Sequence, residues 1–138
     1  MPTIYPYLNF SGQCEEAFRF YAKCLGGEIS FMGAYEGSPM EDQVPPRWRK
    51  KIMHASLTLK DAVLMGCDPP PGRFEPPKGF SLALTFEKPA DAKRIFKALA
   101  AKGTITMPFQ PTFWSGGFGM LVDRFGIPWM VSCQTEPH

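Results

Sequence analysis

The side chains able to do chemistry in this chain of 138 residues are few: two histidines, His54 and His138, four cysteines and a handful of tyrosines. His54 stands out, because an imidazole titrates near neutral pH and can give or take a proton there. The competing reading is a half-buried histidine held by a neighbouring hydroxyl. His138 is the last residue, where little order is expected. Cys14, Cys24, Cys67 and Cys133 are scattered with no C-x-x-C pair, so a zinc ribbon or a thioredoxin-type site is unsupported. Free thiols in a reducing cytosol are expected instead. Cys67 and Cys133 fall on strand patterns, and a Cys–His pair with His54 stays open. Tyr5 and Tyr7 could hydrogen-bond a ligand or simply pack on a sheet with wet hydroxyls. Asp123 reads as a turn residue rather than a catalytic acid.

Composition narrows the classes. The charge is nearly balanced, with 15 Lys and Arg against 13 Asp and Glu. The one basic cluster, Arg47-Trp48-Arg49-Lys50-Lys51, is read as a solvated loop rather than an anion contact. No nucleic-acid partner is expected. No run of about 18 apolar residues exists, so no membrane span is expected. The N-terminus shows no basic segment followed by an apolar core, so a cytoplasmic location is expected. Hydrophobic content of 44% and charge of 20% suit one globular domain with a single good core.

The elements that must position these residues are short, as 15 prolines and 13 glycines imply. Strands are predicted over 3–10, 28–35, 51–59, 62–67, 80–87 and 104–110. Two apolar runs, Phe118–Val122 and Ile127–Val131, flank Asp123-Arg124-Phe125-Gly126, a hairpin signal because Asp and Gly tolerate tight-turn angles. Gln13–Leu25 carries Phe18, Tyr21, Ala22 and Leu25 at helical spacing, with Ser11 as N-cap and Gly26-Gly27 as stop. Ala90–Lys102 carries Ala92, Ile95, Phe96 and Leu99, with Gly103 as stop. The segments 37–50 and 68–79 read as loop and connector, since proline lacks the amide donor a ladder needs.

The order of elements repeats. An offset of 76 places Leu8 on Leu84, Phe10 on Phe86, Phe20 on Phe96, Ala22 on Ala98, Gly27 on Gly103 and Ile29 on Ile105. Two βαβββ modules follow, residues 3–67 and 80–134, in an α+β fold. Each sheet would carry a helix on one face, and the two would curl into a mixed sheet around a cleft, helices outside. That cleft is the natural ligand site.

This architecture resembles the vicinal-oxygen-chelate superfamily of glyoxalase I, bleomycin-resistance proteins and extradiol dioxygenases. Tyr7-Leu8-Asn9-Phe10, Glu15-Glu16-Ala17-Phe18-Arg19-Phe20-Tyr21, Leu25-Gly26-Gly27-Glu28-Ile29, Met53-His54-Ala55 and the segment Phe113–Trp129 bring it closer to the PhnB-like branch. The resemblance covers nearly the whole chain. It implies a cleft and a homodimer, and some members of the branch carry the description demethylubiquinone methyltransferase. The chain itself shows no glycine-rich strand–turn–helix for a nucleotide-like methyl donor.

Enzymes of the superfamily hold a divalent metal with His, Gln or Glu from the first and last strands of each module. The matching positions here are Tyr5, Met65, Ser81 and Met130, none of which suits such a cation. Neither a metal nor another cofactor is therefore expected. By alternation, Tyr5, Tyr7, Asn9, His54, Ser56, Thr58, Met65, Ser81, Ala83, Thr85 and Met130 face the cleft, with Trp114 and Trp129 at its rim. The leading expectation is a metal-free protein binding a small, partly aromatic or apolar molecule. The alternatives are a metal-dependent lyase or isomerase, a His54-assisted acid–base enzyme, and a fold kept for interaction with another protein.

Overall fold

A computed structural model describes residues 1–113 and 115–134. The chain divides into two compact units, Met1–Glu75 and Pro76–His138. The first holds β1 (Tyr7–Asn9), α1 (Cys14–Leu25), β2 (Glu28–Ala34), β3 (Ile52–Thr58) and β4 (Val63–Cys67). The second holds β5 (Leu82–Phe86), α2 (Pro89–Ala100), β6 (Thr104–Gln110), β7 (Gly117–Val122) and β8 (Pro128–Cys133). Each is a four-stranded mixed sheet with one helix, in the orders β1-β4-β3-β2 and β5-β8-β7-β6. The first strand of each unit runs parallel to the last, and the remaining pairs are antiparallel. This is the α+β fold of two βαβββ modules expected from the sequence.

In the first unit the buried side of the sheet meets α1. Leu8, Phe10, Phe18, Tyr21, Ala55 and Leu57 are all at most 2% exposed. Phe10, Phe18 and Tyr21 pack ring against ring, with centroids 6.1 to 6.5 Å apart. Burying each such side chain contributes about 1.5–3 kcal/mol, which holds the helix down. In the second unit Ala92, Ile95, Phe96 and Leu99 form the buried stripe of α2, as their spacing predicts.

The repeat carries a one-residue adjustment. β2 and β6 correspond at an offset of 76, but α1 and α2 correspond at 75. Ala17, Tyr21 and Cys24 therefore match Ala92, Phe96 and Leu99 in burial. The identities Phe20 with Phe96 and Ala22 with Ala98 do not mark equivalent places. The buried face of α1 is Cys14, Ala17, Phe18, Tyr21 and Cys24, rotated from the predicted stripe so that Ala22 and Leu25 are only half-buried.

Several local expectations are corrected. The first strand is three residues, not 3–10, because Pro6 has no amide to donate and pairing starts beyond it. Ser11 does not cap α1. The buried carboxylate of Asp68 does so from just after β4, accepting the Gly12 and Cys14 amides at 2.8 and 3.0 Å. Its other oxygen takes the Ile52 amide at 3.0 Å, so one side chain ties α1, β3 and β4 together. Gly26 ends α1 in the left-handed conformation, φ 74°, as expected. After α2 the left-handed residue is Lys102, φ 60°, and not Gly103. Gly103 is required by space, since a Cβ there would run into the Val122 carbonyl. The segment 37–50 contains two single 3-10 turns, Glu41–Gln43 and Pro46–Trp48.

The β7–β8 hairpin forms where Asp123 and Gly126 place it. Asp123 Oδ1 accepts the Phe125 and Ile127 amides, and Gly126 takes φ 90°. Trp129 is not at a rim: it is 1% exposed and donates Nε1–H to Asp123 Oδ2 at 2.8 Å. An indole placed inside a core needs such an acceptor, and the turn carboxylate supplies it. Among the described residues no helix is long and apolar enough to cross a membrane.

Candidate functional site

The side of the first sheet turned away from α1 is open, and register sets what lies on it. Tyr7 pairs with Met65, Met65 with Ser56 and Ser56 with Phe31, so one row crosses all four strands. Asn9 pairs with Cys67, and His54 with Gly33, beside that row. Neither set contains Asp, Glu, Lys or Arg. Tyr7 and Phe31 remain 47% and 51% exposed, while His54, Ser56, Met65 and Cys67 are half-buried.

His54 is the centre of the group. Tyr7 Oη lies 3.0 Å from its Nδ1, and the two rings stack at 5.6 Å with 29° between their planes. The Phe31 ring stands 5.8 Å away on the β2 side, tilted by 42°. Gly33 gives that ring room, since a Cβ there would come within 2.9 Å of it. Cys67 Sγ donates to Asn9 Oδ1 at 3.6 Å. Burial, with Cys67 next in importance, holds the Tyr7 phenol far above its usual range, so it is protonated at any physiological pH. Burial likewise raises the Cys67 thiol, partly offset by the neighbouring Tyr7 phenol. Cys67 is thus a neutral thiol and not a thiolate nucleophile.

The predicted residues do not all meet. Tyr7, Asn9, His54, Ser56 and Met65 share the open face of the first sheet. Tyr5 precedes β1 and instead lines a hollow of about 400 Å³ with Ile4, Leu59, Lys60 and Val63. Met130 lies on the open side of the second sheet, in a row with Ala83, Met120 and Met107. Ser81 lies just before β5. Trp114 falls outside the described residues.

One residue of the group, Phe31, has no signal in the sequence, and another, Cys67, has partners there that the sequence does not show. Phe31 was hidden because the pairing of β2 slips between Ile29 and Phe31, which breaks simple alternation. Cys67 had no histidine near it in sequence, and only the parallel β1–β4 pairing brings it to Tyr7 and Asn9.

The donor set does not fit the divalent metal that the superfamily resemblance implies. Among the described residues no three of His, Cys, Asp and Glu stand together as ligands could. Tyr7 and Cys67 both keep their protons more tightly than usual, which opposes ligation.

Comparison with known proteins agrees with this architecture. The family model described as 3-demethylubiquinone-9 3-methyltransferase matches residues 2–132. The chain is 34% identical to protein YjdN of Escherichia coli strain K12, over 95% of each. It superposes on the crystal structure of protein PA1353 from Pseudomonas aeruginosa with a TM-score of 0.89 and 43% identity, covering 99% of this chain and 100% of that one. A putative 3-demethylubiquinone-9 3-methyltransferase, PhnB protein, from Bacillus cereus gives 0.77 and 28%, covering 96% and 99%. A glyoxylase/bleomycin resistance protein/dioxygenase domain from Frankia sp. EAN1pec shares the fold with a TM-score of 0.63 at 18% identity. With its two βαβββ modules and a family match spanning nearly every residue, the chain belongs to the PhnB-like family whose model is described as 3-demethylubiquinone-9 3-methyltransferase.

Proposed function

We propose that this protein binds a small, flat organic molecule against the open face of its first sheet, without a metal. The observation that carries the reading is the aromatic group itself. Two half-exposed rings, Tyr7 and Phe31, flank a hydrogen-bonded imidazole on a patch without formal charge. Leaving such rings in water forgoes burial that an apolar ligand would supply, at roughly 25 cal/mol per Å². Met65 adds adaptable lining, as thioethers do, and Ser56 and Asn9 add polar contacts. The reading includes a cytoplasmic homodimer, supported by the resemblance to PhnB-like proteins.

A second reading draws on the same pair. His54 held by Tyr7 is a geometry suited to general acid–base work, so a His54-assisted enzyme acting on the bound molecule is the alternative. A metal-dependent lyase or isomerase has no comparable support in the donor set.

A thermal-shift screen of small aromatic compounds tests the reading on the wild type, His54→Ala and Phe31→Ala. A ligand present at 100 times its Kd raises stability by about 2.7 kcal/mol. Compounds that stabilise the wild type should fail on both variants. Equal stabilisation of all three proteins would place binding elsewhere. Turnover of a hit, lost in His54→Ala, would favour the enzyme. Light scattering on the purified protein should give twice the chain mass; a chain-mass species at all concentrations would reject the homodimer.

A further inference from the structure

The Tyr7–His54 hydrogen bond has a direction, and the direction decides which ligands the face can accept. A neutral imidazole carries one N–H and one acceptor nitrogen, and the partner of one nitrogen fixes the role of the other. Two arrangements are compatible with the 3.0 Å contact. In one, the Tyr7 O–H donates to Nδ1 and the proton of His54 sits on Nε2. In the other, Nδ1–H donates to the phenol oxygen, and the Tyr7 O–H must find a different acceptor.

Tyr7 is 47% exposed, so in the second arrangement its O–H would turn to solvent or to the nearby sulfur of Cys67. A thiol sulfur is a weak acceptor and an imidazole nitrogen a strong one. The Cys67 S–H is itself directed at Asn9 Oδ1. Within the pair itself, a phenol O–H is the stronger donor and an imidazole nitrogen the stronger acceptor, so the phenol donates to Nδ1 across the 3.0 Å contact. Asn9 completes the pattern: its carbonyl oxygen faces Cys67, which leaves the amide N–H groups as its contribution to the face.

Resting on the small-molecule reading above, we infer that the face presents hydrogen-bond donors, His54 Nε2–H with the Asn9 amide, and selects flat conjugated molecules that carry an acceptor atom, a ring nitrogen or a conjugated carbonyl oxygen. The Tyr7 and Phe31 rings recognise the flat body, and the donors choose its polarity. A bound molecule offering only an N–H would meet Nε2–H donor to donor, leaving both unpaired, which is how a polar site rejects a near-isostere. In this arrangement the Tyr7 ring meets the ligand, while its hydroxyl acts through His54 and positions the donor.

Two measurements test this on the intact protein. The first is the 15N spectrum of the imidazoles at a pH where histidine is neutral, with His54→Gln identifying the His54 signals. The proton is expected on Nε2. In Tyr7→Phe the preference should relax toward a mixture of tautomers, a change that a merely structural role for Tyr7 would not produce. A proton on Nδ1 in the wild type overturns the inference. The second compares three bicyclic probes at pH 8 by NMR titration: quinoline, with a ring acceptor, indole, with a ring donor, and naphthalene, with neither. Quinoline should bind about 5-fold more tightly than indole, the size of one half-exposed hydrogen bond. Tyr7→Phe should shrink that ratio toward one. Indole binding as tightly as quinoline, or more so, overturns the inference while leaving the small-molecule reading intact. No binding by any of the three overturns both the ligand class and that reading.

Discussion

Asp68→Asn should cost about 1–3 kcal/mol of stability, and the geometry says why so small a change matters. The wild-type carboxylate is fully buried and accepts three backbone amides, two on Oδ1 and one on Oδ2. An asparagine is almost the same size but has one oxygen. With that oxygen toward Gly12 and Cys14, its NH2 group faces the Ile52 N–H, donor against donor. One buried amide is then left unmade, which costs about 1–3 kcal/mol. The reversed orientation leaves two unmade and is worse. Asp68→Ala removes every acceptor and leaves all three, so its cost should be about 3–6 kcal/mol. Urea denaturation followed by circular dichroism measures both, with the slope of the transition checked for constancy. An Asp68→Asn variant within 0.5 kcal/mol of the wild type, at unchanged slope, would refute the reasoning, because the carboxylate would then not be what joins α1, β3 and β4.

Three further outcomes follow from the packing. Asp123→Ala should cost about 2–4 kcal/mol, since the carboxylate accepts two turn amides and the buried Trp129 Nε1–H; the same denaturation measures it, and a change under 0.5 kcal/mol would contradict it. Tyr35 is 3% exposed and donates to the Asp68 carbonyl at 2.7 Å; burial foremost, then Cys67 and Asp68, push its pKa up to about 12 from 10.0. A raised folded-state value means that its contribution is complete below pH 10 and fades as pH rises to 12, by on the order of 3 kcal/mol. Tyr35→Phe should flatten that part of the stability–pH curve, and an unchanged curve would contradict the assignment. Gly66→Ala should destabilise by more than about 2 kcal/mol, because its Cβ would sit 2.6 Å from the Leu8 carbonyl oxygen and 2.8 Å from the Phe18 ring; thermal unfolding checks it, and an unchanged midpoint would contradict it.

Much of the architecture was legible from local signals. Apolar spacing located both helices, the Asp123–Gly126 turn located the last hairpin, and the repeated element order exposed the two modules. What local reading missed depends on partners far away in the chain. The cap of α1 is Asp68, 54 residues beyond Cys14, so the nearer Ser11 looked like the better candidate. Tyr35 and Trp48 donate to the carbonyl of that same Asp68, which no sequence window contains. At the site, alternation placed Tyr7, Asn9, His54, Ser56 and Met65 on one face correctly. It failed for Tyr5, because Pro6 interrupts pairing, and for Phe31, because β2 slips against β3. The offset of 76 carried the strands β2 and β6 but overran the helices by one residue, so identity at a fixed offset was a weaker guide than burial.

The claim that most needs testing is that the Tyr7–His54–Phe31 face binds a small aromatic molecule. The direct measurement is a backbone and side-chain NMR map of the wild-type protein titrated with quinoline. Saturable shifts are expected at Tyr7, Asn9, Phe31, His54, Ser56, Met65 and Cys67, abolished in His54→Ala. Shifts centred instead on Ile4, Tyr5, Leu59 and Val63, the residues of the hollow beside β1, would contradict it.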